Sequence, residues 1–365
     1  MLLSVPSAVE RVKTAVRPFL ARHPRLRRAL MRIRGIEPPP PAAPVLPTQA
    51  PVASSAVTER WDQLASEEFV RDLSRRSWTG IPQIHLNHNF RVTGDRSAYW
   101  VNWLRDRYFP GGFAGDTLSL GCGEGHLDRI LKDCGFTFRS FTGLDISPKA
   151  VERARTLADE KGGLAPATTY ATADLNTQTL PEQAYDFIYF FQSLHHIEAL
   201  EHMLQQCVRA LRPNGVLMVN EYVGPSRFQW TERQRTMSDA LIMLLPPDLR
   251  VDLLKADGTL KTRSVAPTVE DMIIGDPSEA VRSGEIEAVL AAHFDIVDDK
   301  PWGGTLNYLV FENIAGNFDA GNPYHQAIAE LLIHHENILI DFNVLPSDFK
   351  ILVAKHRSAR GAARH

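Results

Sequence analysis

Apolar and polar positions alternate along the middle of the chain with two periods. Short apolar runs at 117–120, 138–144, 168–173, 185–192 and 216–219 read as strands, and the run at 185–192 is continuous enough for a central strand covered on both faces. Between them the apolar residues fall at helical spacing. Leu127, Ile130 and Leu131 mark one helix, Ala150, Val151, Ala154 and Leu157 a second over 147–161, and Leu200, Met203, Leu204, Cys207, Val208 and Leu211 a third that stops before Pro213-Asn214-Gly215. A strand followed each time by a helix predicts a parallel sheet with right-handed crossovers. Two further strands, at 294–297 and 349–354, are separated by helical stretches at 306–314 and 324–340. Gly121, Asp145, Asp174, Ser193 and Glu221 then all fall at C-terminal strand ends, around the crevice where such sheets bind ligands.

The first run breaks into Gly121, Cys122, Gly123, Glu124 and Gly125 before its helix. Such a turn lets main chain approach a ligand without an intervening side chain, and the helix beyond it presents unpaired N–H groups. Asp145 follows 20 residues after Gly125, ahead of a helix opened by Ser147 as cap and Pro148 at its first position. Strand, glycine turn, helix, strand and acid form one nucleotide-binding half, its carboxylate suited to a ribose diol. On these features alone the cofactor stays open.

A dinucleotide fingerprint spaces its glycines G-x-G-x-x-G, whereas here the third glycine comes one residue early. With LSLGCGEG, TGLDIS, ATADLN, YDFIYFFQSLHHI and ALRPNGVLMVNEY in order over 117–222, the chain resembles the class I S-adenosylmethionine-dependent methyltransferases. The resemblance implies a doubly wound α/β fold: a mostly parallel seven-stranded Rossmann-like sheet with an antiparallel last strand. It also implies S-adenosylmethionine as cofactor. Gly121, Gly123 and Gly125 would pass the donor's amino acid part, Glu124 its ammonium, Asp145 with Ile146 the ribose, and Asp174 with Leu175 the adenine. His195 and His196, just past the buried strand, would sit beside the methyl group, His195 as base for a hydroxyl acceptor, with Glu221 holding that hydroxyl or orienting a neighbour. Arg227, Trp230 and Trp302 are candidates for an acceptor rim, or for ordinary packing.

Outside the core, residues 1–36 mix Val12, Val16, Phe19 and Leu20 with Arg11, Lys13, Arg17 and Arg22 as a basic amphipathic arm. The arm suits an anionic membrane surface or an acidic partner, and equally a solvated leader. A Pro/Ala-rich linker is expected over 37–57 and an aromatic-rich helical cover over 58–110. The cofactor-binding core would take 111–223, an inserted helical lid or oligomerisation surface 224–292, the end of the sheet 293–356, and a basic tail 357–365. Within the insertion, 230–245 and 278–292 read as helices.

The 365 residues suffice for one large α/β domain with appendages, and a net charge of -3 gives no reason to expect nucleic-acid binding. Cys122, Cys134 and Cys207 lack ligand-pair spacing, and His85, His88 and Asn89 lack a spaced carboxylate, so no metal site is expected. The cysteine usage, the absence of an apolar stretch of bilayer length, and Pro6, Glu10, Arg11 and Lys13 near the start predict a cytoplasmic protein. The leading expectation is therefore methyl transfer to a small molecule or glycan, on oxygen, by in-line displacement. Methylation of a lipid or quinone, a nicotinamide-dependent oxidoreductase, and a non-catalytic cofactor-binding module are the alternatives.

Overall fold

A computed structural model describes residues 54–64 and 76–357, all within one compact unit, residues 51–365. The basic arm, the linker up to residue 53, Phe69 and the tail beyond residue 357 lie outside the described residues. Among the described residues three α-helices precede the sheet: α1 (Ser54–Leu64), α2 (Pro82–Thr93) and α3 (Trp100–Tyr108). Helix α1 begins inside the segment expected as linker, with Val57 buried on one of its turns. Pro82 sets the first turn of α2, and Gly94 ends it in the left-handed conformation, φ 84°. On α3 the buried stripe is Trp100, Val101 and Leu104, while Tyr99 and Trp103 are only partly covered.

The strand–helix alternation follows in order: β1 (Phe113–Leu120), α4 (His126–Asp133), β2 (Thr137–Asp145), α5 (Pro148–Glu160), β3 (Ala167–Thr172), β4 (Tyr185–Phe191), α6 (Leu200–Ala210) and β5 (Leu211–Tyr222). As the sequence requires, Ser147 caps α5 by accepting from the Ala150 N–H at 3.1 Å, with Pro148 at the first helical position. After β5 come α7 (Glu232–Leu244), α8 (Val269–Gly275), α9 (Ile286–His293), β6 (Phe294–Gly303), α10 (Asn307–Phe311), α11 (Pro323–Asp341) and β7 (Phe349–His356).

The seven strands lie in the order β3-β2-β1-β4-β5-β7-β6. β1 pairs in parallel with both β2 and β4, so the sheet winds outward in two directions from there, and the ligand crevice belongs at the end of that pair. Only β7 reverses: it is antiparallel to β5 on one side and to β6 on the other. Successive residues of the central strands bury to opposite faces, which is why those strands read as unbroken apolar runs. Phe187, Tyr189, Val216, Met218 and Val353 join one core cluster, and Ile188, Phe190, Leu217, Val219 and Leu352 the other. Each such side chain contributes about 1.5–3 kcal/mol on burial.

The insertion departs from its predicted pattern. Instead of one helix over 278–292, the chain turns through 276–285 and becomes helical at Ile286. Asp276 Oδ1 accepts from both the N–H and the hydroxyl of Ser278, at 2.8 and 2.7 Å, and Ala280 has φ 48°, so local side-chain bonding displaces the helix. That turn faces the crevice.

Candidate active site

The floor of the crevice is built by the glycine turn. Gly121 and Cys122 donate their N–H groups to Leu144 O at 2.8 and 3.0 Å, and Gly123 N–H donates to Asp145 Oδ2 at 2.8 Å, tying the turn to the end of β2. Asp145 Oδ1 accepts from Ser147 N–H at 2.9 Å, and each carboxylate oxygen keeps a further lone pair for a ligand. Burial pushes the Asp145 carboxyl up, opposed by the Ser147 and Gly123 N–H groups. Asp174 Oδ1 accepts from Asn176 N–H at 2.9 Å at the end of β3.

Above this floor is a cavity of about 250 Å³. It is lined by Gly121, Gly123, Glu124, Asp145, Ile146, Asp174 and Leu175, so the residues expected to surround one adenosyl donor do surround one hollow. Gly125 is the exception. A Cβ at Gly125 would stand 2.9 Å from the Tyr170 hydroxyl and 3.1 Å from Asp128 Oδ2, beneath the turn. Asp128 is fully buried there and accepts from Ser119 Oγ, Tyr170 OH and Tyr189 OH at 3.0, 2.9 and 2.5 Å, which fixes α4 to three strands. Gly125 therefore packs closely under the turn and does not line the cavity.

A second chamber, about 690 Å³, adjoins the first. The two share Trp61, His126, Phe191, Gln192 and His196. Its walls are aromatic: Trp78 and Trp302 stack at 5.5 Å between ring centroids, His88 and Trp302 at 4.3 Å, and Tyr222, Tyr308 and Phe349 complete them. Burial lowers the His88 pKa to about 3, so this ring is neutral. His88 Nε2 and Asn220 Nδ2 are buried, line the chamber and have no hydrogen-bond partner.

Two imidazoles and a carboxylate stand where the chambers meet. Glu221 is fully buried and accepts from Ser193 N–H, Leu194 N–H and His195 Nδ1 at 2.5, 2.6 and 2.5 Å. It lines neither cavity, and the contact it makes there is with His195 Nδ1, which it orients. His195 Nε2 lies 3.5 Å from Glu279 Oε1, and His196 Nε2 lies 3.9 Å from Glu279 Oε2. Burial alone would lower the His195 pKa, but Glu221 and Glu279 outweigh it and raise the value to about 10. A ring held in its protonated form between two carboxylates is less suited to accept a proton than its neighbour His196.

His196 differs. Ser278 gives its one hydroxyl hydrogen to Asp276, so the 3.0 Å contact between His196 Nδ1 and Ser278 Oγ has the ring donating, and Nε2 keeps a lone pair. Burial, and then the neighbouring His195, lower its pKa. Glu279 is the participant that sequence reasoning missed. Burial would raise its pKa, yet His196, His195 and Arg227 hold it at about 2.

Of the proposed rim, only Trp302 lines the chamber. Arg227 is 1% exposed and donates to the Glu279 carbonyl at 3.1 Å, and Trp230 donates its indole N–H to Asp348 Oδ2 at 3.1 Å. Both face inward: a carboxylate takes the Trp230 indole N–H, and a backbone carbonyl takes one Arg227 Nη while its Nη2 is buried without a partner.

A sheet wound outward from β1 and β4, with a bare glycine turn and two acids around a hollow at their ends, defines the class of the core: class I S-adenosylmethionine-dependent methyltransferase. Residues 118–219 match the family described as methyltransferase domain. The segment is similar to the 27-O-demethylrifamycin SV methyltransferase of Amycolatopsis mediterranei, 32% identical over 111 residues, 30% of this chain and 40% of that protein. It is also similar to the sterol 24-C-methyltransferase ERG6B of Gibberella zeae, 33% identical over 107 residues, 29% and 27% of the two chains. The chain thus spans well under half the length of these relatives. Among solved structures, an S-adenosylmethionine-dependent methyltransferase from Mesorhizobium loti aligns with TM-score 0.41 at 17% identity, over 70% of this chain and 98% of that one.

Proposed function

We propose that the protein transfers the methyl group of S-adenosylmethionine to a hydroxyl on a ring-bearing, largely apolar small molecule. The observation that carries this reading is the junction of the two chambers at His196 and Gln192, one walled by the glycine turn and acids, the other by stacked aromatic rings. The sulfonium carbon would face the second chamber through this opening. Methyl transfer is an in-line displacement with a neutral thioether leaving, so the protein chiefly aligns nucleophile and methyl and keeps water out. Oxygen as the target is supported by the His195, His196 and Glu279 cluster at the junction, where a hydroxyl proton can be accepted at His196 Nε2. Asn220 Nδ2 and His88 Nε2 offer partners to other polar groups of the acceptor. Relatives named for a demethylrifamycin and for sterols fit a sizeable acceptor.

The test is calorimetry with S-adenosylmethionine and with NAD, followed by incubation with methyl-labelled donor and two acceptor panels, hydroxylated polycyclic compounds and sugars. Binding of the methyl donor, with label in methyl ethers of the first panel, is the expected result. Binding of NAD alone overturns the reading, and label confined to sugars, which would favour a glycan acceptor, overturns the apolar assignment.

A further inference from the structure

The cluster at the junction has more ligating capacity than proton transfer needs. Among the described residues, His195, His196 and Glu279 each offer a ligand atom, and these atoms all lie within 4.8 Å of one another. Both rings are fixed from behind. His195 Nδ1 is held by Glu221 at 2.5 Å and His196 Nδ1 by Ser278 at 3.0 Å, and in each case Nε2 is turned toward Glu279. A carboxylate or hydroxyl behind a histidine whose other nitrogen faces a shared point is the outer arrangement of metal-binding histidines. The three groups come from two elements, the turn after β4 and the insertion, and they open onto the aromatic chamber.

We propose that His195 Nε2, His196 Nε2 and the Glu279 carboxylate bind a first-row divalent cation of the zinc, cobalt or manganese kind. Two imidazole nitrogens and one carboxylate suit that class and leave coordination positions open. At bond lengths of about 2.1 Å, two ligand atoms on one ion stand up to about 4.2 Å apart, so the observed separations of 3.5 and 3.9 Å already fit, and the widest pair closes by less than about 1 Å. Charge favours it as well. Two carboxylates, Glu221 on His195 Nδ1 and Glu279 on its Nε2 side, flank the site, and their negative charge suits a bound dication.

If the methyltransferase reading above holds, the ion also has a chemical task. With His196 Nε2 then a ligand and no longer the proton acceptor, an acceptor hydroxyl on an open position loses its proton to water instead, its oxygen pair forms the new O–C bond, and the breaking C–S bond leaves its electrons on the thioether. The ion's charge is unchanged. The metal site itself does not rest on that reading.

The test uses the chelator-treated full chain without S-adenosylmethionine. Calorimetry with Zn²⁺ and visible absorption with Co²⁺ should give one ion per chain, with a thermal shift in the wild type. H196Q and E279Q should each lower Zn²⁺ affinity at least about tenfold, and E221Q, behind the first ring, about tenfold. Undiminished S-adenosylmethionine binding by E279Q, which lines only the aromatic chamber, shows that this variant is folded. Failure of the wild type to take up Zn²⁺, Co²⁺ or Mn²⁺, or equal Zn²⁺ affinity in wild type, H196Q and E279Q, overturns the site. Because metal uptake is read without the methyl donor, it stands apart from failure of cofactor binding.

Discussion

Gly123 and Gly125 stand two residues apart with φ of 51° and 69°, yet a methyl group added to each meets different surroundings. At Gly123 nothing lies within 4 Å, so an alanine projects into the donor cavity; at Gly125 it strikes the Tyr170 hydroxyl. Gly123→Ala should therefore lower S-adenosylmethionine affinity at least about tenfold by calorimetry, at a stability cost of about 1–2 kcal/mol from backbone strain. Gly125→Ala should act chiefly on stability, costing about 2–4 kcal/mol in urea unfolding from strain together with overpacking. Asp145→Ala removes the acceptor for Gly123 N–H and Ser147 N–H as well as two places for ribose hydroxyls, and should weaken the cofactor about 100-fold. These residues were legible because a strand, a turn and an acid about twenty residues on belong to one local unit. Glu279 was not, since it reaches the site from 58 residues beyond Glu221 through a turn whose geometry depends on Asp276. Arg227 and Trp230 misled for a related reason: the acceptors they turn to, Glu279 O and Asp348, are distant in sequence.

At the level of elements, the turn that carries Glu279 is tied down by Arg282. Its guanidinium bonds both Glu201 oxygens on α6 at 2.7 and 2.8 Å, and also Glu285 at 2.7 Å. The hydrogen bonds from Arg282 lower the Glu201 pKa from 4.5 to about 2. A depressed carboxyl stabilises the fold fully above its unfolded value, and that contribution is lost as pH falls from about 4.5 through about 2. Wild type should thus exceed Glu201→Gln in stability at pH 7, and the gap should close by pH 2. Because the Glu201 side chain is 57% exposed, the difference should stay under about 1 kcal/mol in denaturant titrations. The sequence announced helices and strands well where apolar spacing ran unbroken, as in α5, β4 and α11. It announced the insertion poorly, because serine and aspartate there bond to neighbouring backbone and override helix propensity.

For the molecule as a whole, the described residues include no helix long and apolar enough to cross a membrane, and the sheet is the common support of both chambers. Its completeness depends on one late segment. β7 supplies every sheet hydrogen bond of β6 and one whole side of β5, so a chain ending at residue 348 should lose cooperative unfolding by near-ultraviolet dichroism, not merely a few degrees of melting temperature. Asn220 and Glu221 pair in register with Ile351 and Lys350, which places that strand directly behind the carboxylate holding His195. During translation, then, the ribosome must have released residue 356 before the pocket acquires its back wall. Until that moment β5 presents an open edge to other nascent chains, and the time spent waiting for some 130 more residues after Tyr222 is when such a product is most exposed to aggregation.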